Sequence, residues 1–80
     1  MRDLHVYVEY AGADARGQLA AFYSRRADGP FYRWLDAEGS GRWSYSRVSL
    51  DRLTLRMLCV APWEAVPAAL RSRLGEHYLE

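Results

Sequence analysis

The residues of this 80-residue chain that could carry catalysis or bind a metal are few and widely spaced. His5 and His77 lie near opposite ends of the chain, and Cys59 is the only cysteine. A metal site would need carboxylate ligands gathered without any recognisable spacing. A nucleophilic Cys59 would need a histidine that a third group orients, and its apolar neighbours in sequence favour a buried, protonated thiol. We therefore expect no catalytic residue, no metal and no cofactor, and an enzyme using Cys59 or His77 ranks third among the functions considered.

The acidic residues and glycines near position 38 are better explained by a turn than by chemistry. Asp36 and Glu38 form no recognisable pair of general acid and general base. The run Gly39-Ser40-Gly41 has the small residues of a phosphate-binding loop, but neither a lysine nor a helical pattern follows it. These residues therefore predict a connection between two strands.

Composition limits the classes of partner. Eleven arginines and ten acidic residues give a net charge of +1, so no overall field attracts nucleic acid or an anionic membrane. Lys, Asn and Ile are all absent, which is typical of a GC-rich coding sequence, so the number of arginines is not evidence for phosphate binding. The single cysteine and the lack of a long apolar run predict a cytoplasmic protein without a signal peptide or membrane span. Half of the residues are hydrophobic, which suits a single domain over residues 1–80.

Alternating apolar and polar residues predict an antiparallel sheet in the first part of the chain. In the first segment, Leu4, Val6 and Val8 fall on one side and His5 and Tyr7 on the other. We predict four strands, over residues 4–10, 18–26, 31–37 and 42–48. The turn signals between the last three are Asp-Gly-Pro at 28–30 and the glycine-rich stretch 38–41.

The second part of the chain changes from the period of a strand towards that of a helix. Residues 50–60 fit either a short helix capped by Ser49 or a strand, and we favour the helix. From position 63 onward, apolar residues recur at intervals of three and four, which predicts an amphipathic helix with the stripe Trp63, Val66, Leu70, Leu74 and Tyr78. Pro67 places the start of the regular helix near that residue, after a tighter turn. The predicted fold is α+β: a four-stranded antiparallel meander, a short helix and a C-terminal helix packed on one face.

Hairpin loops with an even number of residues would align the aromatic residues of the meander into two rows on one face. The rows would be Tyr23, Trp34 and Trp43, and Arg25, Tyr32 and Tyr45. Arg47 would lie at the rim of this face. The reverse face would carry Phe22, Ser24, Arg33, Leu35, Ser44 and Ser46.

This aromatic face has two interpretations. It is either the core, packed under the C-terminal helix, or in part an open platform on which nucleotide bases stack. The residues that would form the binding surface are Tyr23, Arg25, Tyr32, Trp34, Trp43, Tyr45 and Arg47. By elimination we predict a small non-catalytic binding or assembly module, whose partner is another protein or a second copy of the chain. The alternative is a protein that binds single-stranded nucleic acid, and we expect no membrane partner.

Overall fold

A computed structural model describes residues 3–11, 18–36 and 39–78 of the chain. The strands are β1 Leu4–Ala11, β2 Gln18–Arg26, β3 Phe31–Leu35, β4 Ser44–Val48 and β5 Cys59–Val60. The helices are α1 Arg52–Met57 and α2 Ala68–His77, with a 3-10 turn at Trp63–Ala65. The predicted α+β class and the antiparallel sheet under a C-terminal helix are confirmed.

The sheet has five strands rather than the four predicted, in the order β4-β3-β2-β1-β5. Every neighbouring pair is antiparallel, and the first four strands form the expected meander. The fifth strand is only two residues long, and it lies where the pattern was compatible with both helix and strand. Val60 and Cys59 lie opposite Tyr7 and Val8, so β5 adds an edge on the far side of β1.

Helix α2 packs on one face of the sheet, which we call the helix-covered face. From α2, Leu70 and Leu74 are fully buried, as the stripe predicted, and Val66 just before it is 2% exposed. They pack against sheet residues and against Trp43 and Ala61 in one cluster, whose remaining members are Val6, Val8, Phe22 and Trp34. The 3-10 turn and the start of α2 directly after Pro67 also agree with the prediction.

The predicted pairing of β2 with β3 is wrong by one residue, because the loop between them is odd in length. Phe22 lies opposite Trp34 and Ser24 opposite Tyr32, so the continued register leaves residues 27–29 as a three-residue loop. Ala27 adopts a left-handed conformation with φ of 46°, and the Gly29 amide donates to the Arg26 carbonyl at 2.7 Å. A one-residue shift exchanges the faces of a strand. Phe22 and Ser24 therefore lie in the core, not on the reverse face.

The pairing of β3 with β4 is shifted by two residues, which keeps each side chain on its predicted face. Trp34 lies opposite Tyr45 rather than Trp43, and Tyr32 lies opposite Arg47. The loop is longer than predicted because the Asp36 carboxylate accepts hydrogen bonds from the amides of Ser40 and Gly41, at 3.1 and 2.7 Å. Trp43 still reaches the same core as Trp34.

The segment after β4 combines both structures that its sequence allowed. Residues 52–57 form α1, and β5 follows one residue later. The cap of α1 is Asp51 rather than Ser49, since the Asp51 carboxylate accepts a hydrogen bond from the Thr54 amide at 2.8 Å.

The two ends of the described chain are fixed to the same end of β2. The Ala27 amide donates to the carbonyl of Asp3 at 2.8 Å. The Arg26 guanidinium donates to the carbonyl of Tyr78, also at 2.8 Å. The start of β1 and the end of α2 are thus held beside one turn.

Candidate functional site

The structure divides the predicted aromatic surface between the two faces of the sheet. Five of its residues belong to the helix-covered side: Tyr32, Trp34, Trp43, Tyr45 and Arg47. Tyr23 and Arg25 lie on the opposite face, because β2 is shifted by one residue relative to the predicted register. The surface therefore does not exist as one continuous platform, and each half has its own environment.

On the helix-covered face, the large aromatic residues are mostly buried. Trp34 and Trp43 are 1% and 8% exposed, and the Phe22 and Trp43 rings meet edge to face at 5.7 Å. The Trp34 indole donates to the Ser24 hydroxyl at 2.9 Å, and that hydroxyl shares a 2.8 Å hydrogen bond with the Tyr78 hydroxyl. Ser24 is completely buried, so this polar chain links the sheet to the end of α2 inside the core.

His77, the last residue of α2, lies among aromatic rings. The distances from its ring centroid are 4.5 Å to Tyr32, 4.6 Å to Tyr45, 4.7 Å to Tyr78 and 5.5 Å to Trp34. All four contacts are close to edge-to-face, which is a favourable arrangement for aromatic rings. This ring of contacts fixes the C-terminal end of α2 against β3 and β4.

A small polar cleft of about 200 Å³ opens beside His77. Burial lowers the pKa of His77 below its usual value of 6.5, and the positive charge of Arg73 acts in the same direction. Arg73 is itself held, since it donates to the Trp43 carbonyl at 3.1 Å and lies 3.5 Å from Glu76. The cleft thus places an imidazole beside a paired guanidinium, and no side chain in the described part of the chain forms a hydrogen bond that would orient His77 for catalysis.

On the opposite face, Tyr23 lies at the centre of a polar network. Its hydroxyl donates to Glu9 at 3.1 Å and accepts from Arg33 at 3.0 Å. Burial is the main cause that raises the pKa of Tyr23, although Arg33 opposes the shift. Nearby, the Arg25 guanidinium covers the Phe31 ring at 4.6 Å. The arginines of this face therefore cover its aromatic rings, and each is paired with an acid: Arg33 with Glu9 and Arg25 with Asp28, both at 3.7 Å.

Sequence reasoning missed a group of exposed apolar residues at positions 53–63, where five of the seven exposed large hydrophobic residues in the described part of the chain lie; we call it the apolar segment. Its exposed large side chains are Leu53 at 70%, Leu55 at 38%, Met57 at 67%, Val60 at 75% and Trp63 at 39%. Helix α1 has no buried residue at all. The sequence favoured a short helix here, and the core beneath the sheet face is filled by Leu70 and Leu74 of α2 instead. The signal available in the sequence was the high density of apolar residues in a stretch that fitted two patterns at once.

An apolar cleft of about 310 Å³ adjoins this segment. Its lining residues come from β1, β2 and the stretch 60–67, and all are uncharged: Val8, Tyr10, Phe22, Val60, Ala61, Pro62, Ala65 and Pro67. Val8 and Phe22 belong to the core, whereas Val60 is 75% exposed, so the cleft leads from the apolar segment down to the core. An engineered cavity of about 150 Å³ binds benzene, so this cleft has room for a large side chain.

The residues that could carry chemistry are not assembled. Cys59 is exposed on β5, which corrects the buried thiol expected from its neighbours. His5 is exposed, as its strand position predicted. Within residues 3–11, 18–36 and 39–78, no three His, Cys, Asp or Glu side chains are grouped so that they could hold a metal ion.

Comparison with known proteins found no relative of this chain. No family model, no curated protein and no solved structure matches it. Among the helices that the structure describes, none has the length and apolar character needed to cross a membrane. Function must therefore be argued from the geometry.

Proposed function

We propose that this chain is a non-catalytic protein-interaction module, and that it binds its partner through the apolar segment and the adjoining apolar cleft. The observation that carries the proposal is the exposure of five large apolar side chains within eleven consecutive positions. The three most exposed of them, Leu53, Met57 and Val60, each have at least 67% of their surface open to solvent. Exposed groups of large apolar side chains are commonly sites of protein contact.

The structure of α1 supports an intermolecular purpose for these side chains. A six-residue helix is too short to be stable by itself, and most helices gain stability by burying one face. Leu53 and Met57 are one turn apart, so they project from the same side of α1, yet both are more than 60% exposed. The Asp51 cap holds the first turn of a helix whose apolar side is left to solvent. A partner that covers Leu53 and Met57 would provide the missing burial.

The cleft gives this surface the form of a specific contact site. Interfaces gain most of their affinity from a few anchor side chains that fill well-packed pockets. The cleft is apolar and adjacent to Val60, and it extends to Val8 and Phe22 in the core. An aliphatic or aromatic side chain of the partner is the group that fits there.

Binding of single-stranded nucleic acid, the alternative function, has less support. Bases stack on exposed aromatic rings beside cationic side chains. On the helix-covered face, Trp34 and Trp43 are at most 8% exposed. Of the predicted binding residues described on that face, Tyr45 and Arg47 are exposed and Tyr32 is partly buried. On the other face, Arg25 and Arg33 already lie over aromatic rings or pair with Glu9.

A photo-crosslinking amino acid placed in the apolar segment tests the proposal. It would replace Met57, which is exposed and has no role in the core, and the matched control would replace the exposed Ser46 of β4 at the other edge of the sheet. In the cell that produces the protein, irradiation is expected to give a covalent protein adduct from position 57 and none from position 46. Equal yields at both positions, or no adduct from position 57, would overturn the proposal.

A further inference from the structure

We propose that the partner at the apolar segment is a second copy of this chain, related by a two-fold axis that sets the β5 strands of the two copies side by side. This inference rests on the proposed function and adds to it the identity of the partner. In a two-fold dimer the same surface of each copy contacts the other, so the surface must complement itself in shape, charge and backbone hydrogen bonding.

The edge of the sheet at β5 is suited to such pairing. The sheet ends at β4 on one side and at β5 on the other. The β4 edge carries Ser44, Ser46 and the charged Arg47 beside Tyr45, which is 49% exposed, and charged and polar residues on an edge discourage association. The β5 edge presents Val60 instead, with 75% of its surface exposed. Two β5 strands that pair about a two-fold axis perpendicular to them are antiparallel, so they would extend the antiparallel order of the existing sheet.

The charges around the apolar segment balance within a single copy. Positions 51–64 contain Asp51, Glu64, Arg52 and Arg56, which is two charges of each sign. A surface with no net charge meets little repulsion from its own copy, and the whole chain carries only +1. A strongly acidic or basic partner would instead call for a surface dominated by the opposite sign.

The available area and shape also suit a dimer. Specific interfaces bury at least about 1,200 Å² in total, or about 600 Å² per partner. The exposed side chains Leu53, Met57 and Val60 of the apolar segment contribute to such an area, and the rim of the apolar cleft adds Tyr10, which is 54% exposed. The protruding side chains and the cleft meet at Val60, so a two-fold axis nearby could place a side chain of each copy into the cleft of the other.

Sedimentation velocity of the purified chain over a wide concentration range is the direct test. We expect a species of twice the 9.2 kDa chain mass that dissociates on dilution. Val60→Glu places a charge at the centre of the contact and is expected to weaken the dimer at least about 30-fold. Ser46→Glu, which adds the same charge to the opposite edge strand, is expected to leave the dimer intact. Circular dichroism of both variants should match that of the parent, because each substituted residue is exposed.

The outcomes separate this inference from the proposed function. A chain that stays monomeric in sedimentation, but forms adducts with a different protein from position 57, refutes the second copy and leaves the interaction module standing. The absence of any adduct together with a monomeric chain refutes both. A dimer that Ser46→Glu dissociates and Val60→Glu does not would place the contact at β4 and overturn the interface proposed here. An adduct of twice the chain mass, lost in Val60→Glu, supports it.

Discussion

Replacement of the buried Ser24 tests the register that builds the helix-covered face. In the predicted register Ser24 faced water, whereas in the structure its hydroxyl accepts the Trp34 indole hydrogen bond and is itself bonded to Tyr78. Ser24→Ala removes this oxygen from a site with no solvent exposure. The indole N–H is then left without an acceptor in the core, and the tyrosine hydroxyl loses its partner.

The expected loss of stability follows from which groups remain unpaired. An unsatisfied buried donor costs about 1 to 3 kcal/mol, whereas a group that can turn towards water costs less. Trp34 is 1% exposed and cannot reach water, but Tyr78 is only partly buried. We therefore expect Ser24→Ala to lower the free energy of unfolding by about 2 to 3 kcal/mol, and Tyr78→Phe by about 1 kcal/mol. For a domain of this size the larger loss lowers the melting temperature by roughly 10 to 20 °C.

Urea unfolding, followed by both circular dichroism and tryptophan fluorescence, measures these differences. All variants are compared at one protein concentration, because self-association would make stability depend on it. Ser46→Ala is the control, since this exposed serine on β4 has no buried partner, and its effect is expected within about 0.5 kcal/mol. If Ser24→Ala costs no more than Ser46→Ala, the hydrogen-bond chain and the register of β2 are both refuted.

Two further predictions concern the ends of the helices. Because the pKa of His77 is lowered in the folded chain, the unfolded chain binds a proton at this residue more readily. His77 therefore stabilises the fold above its usual pKa of 6.5, and this contribution is lost as the pH falls below 6.5. Between about pH 7.5 and pH 5, the parent should therefore lose more stability than His77→Phe in chemical unfolding, and parallel pH profiles would contradict this. Asp51→Ala removes the cap of α1 and should increase hydrogen exchange of the Thr54 amide severalfold, while the amides of α2 remain protected. Unchanged exchange at Thr54 would show that the cap does not hold the helix.

The strands and the main helix could be predicted because each buries one side, so apolar residues recur along the sequence with the period of a strand or of a helix. The strand over residues 18–26 has the predicted bounds, and the stripe of α2 places Leu70 and Leu74 in the core. Strand β5 was not predicted because two residues are too few to show a period. It forms because the chain leaving α1 runs alongside β1, a tertiary contact that local sequence does not encode.

The faces of the sheet could not be predicted, since they depend on the parity of one loop. Asp28-Gly29 suggested a loop with an even number of residues, but Ala27 takes the left-handed conformation that alanine rarely adopts and makes the loop odd. The odd loop length places Tyr23 and Arg25 on the face of the sheet opposite to that of Trp34. The predicted faces of Trp34, Trp43 and Tyr45 are correct although the second loop is also longer than predicted. The difference in loop length is an even number of residues, so each side chain stays on its face.

The candidate site was not predicted because the sequence does not show whether an apolar residue will be buried by other parts of the same chain. Leu53 and Met57 have the same spacing as core residues of α2. Only the folded chain shows that α2 already occupies the helix-covered face and that α1 is left without a surface to pack against. Leu53 and Met57 can be recognised as exposed only when the residues that form the core are known.

The attachment of both described chain ends to one turn has a consequence for engineering. Asp3 and Tyr78 are each bonded to neighbouring residues, Ala27 and Arg26. A short peptide joining the two ends would cost little loop-closure entropy, because they are already held close together. A circular permutant, opened in the exposed loop at residues 39–42, should therefore keep the parental sheet order.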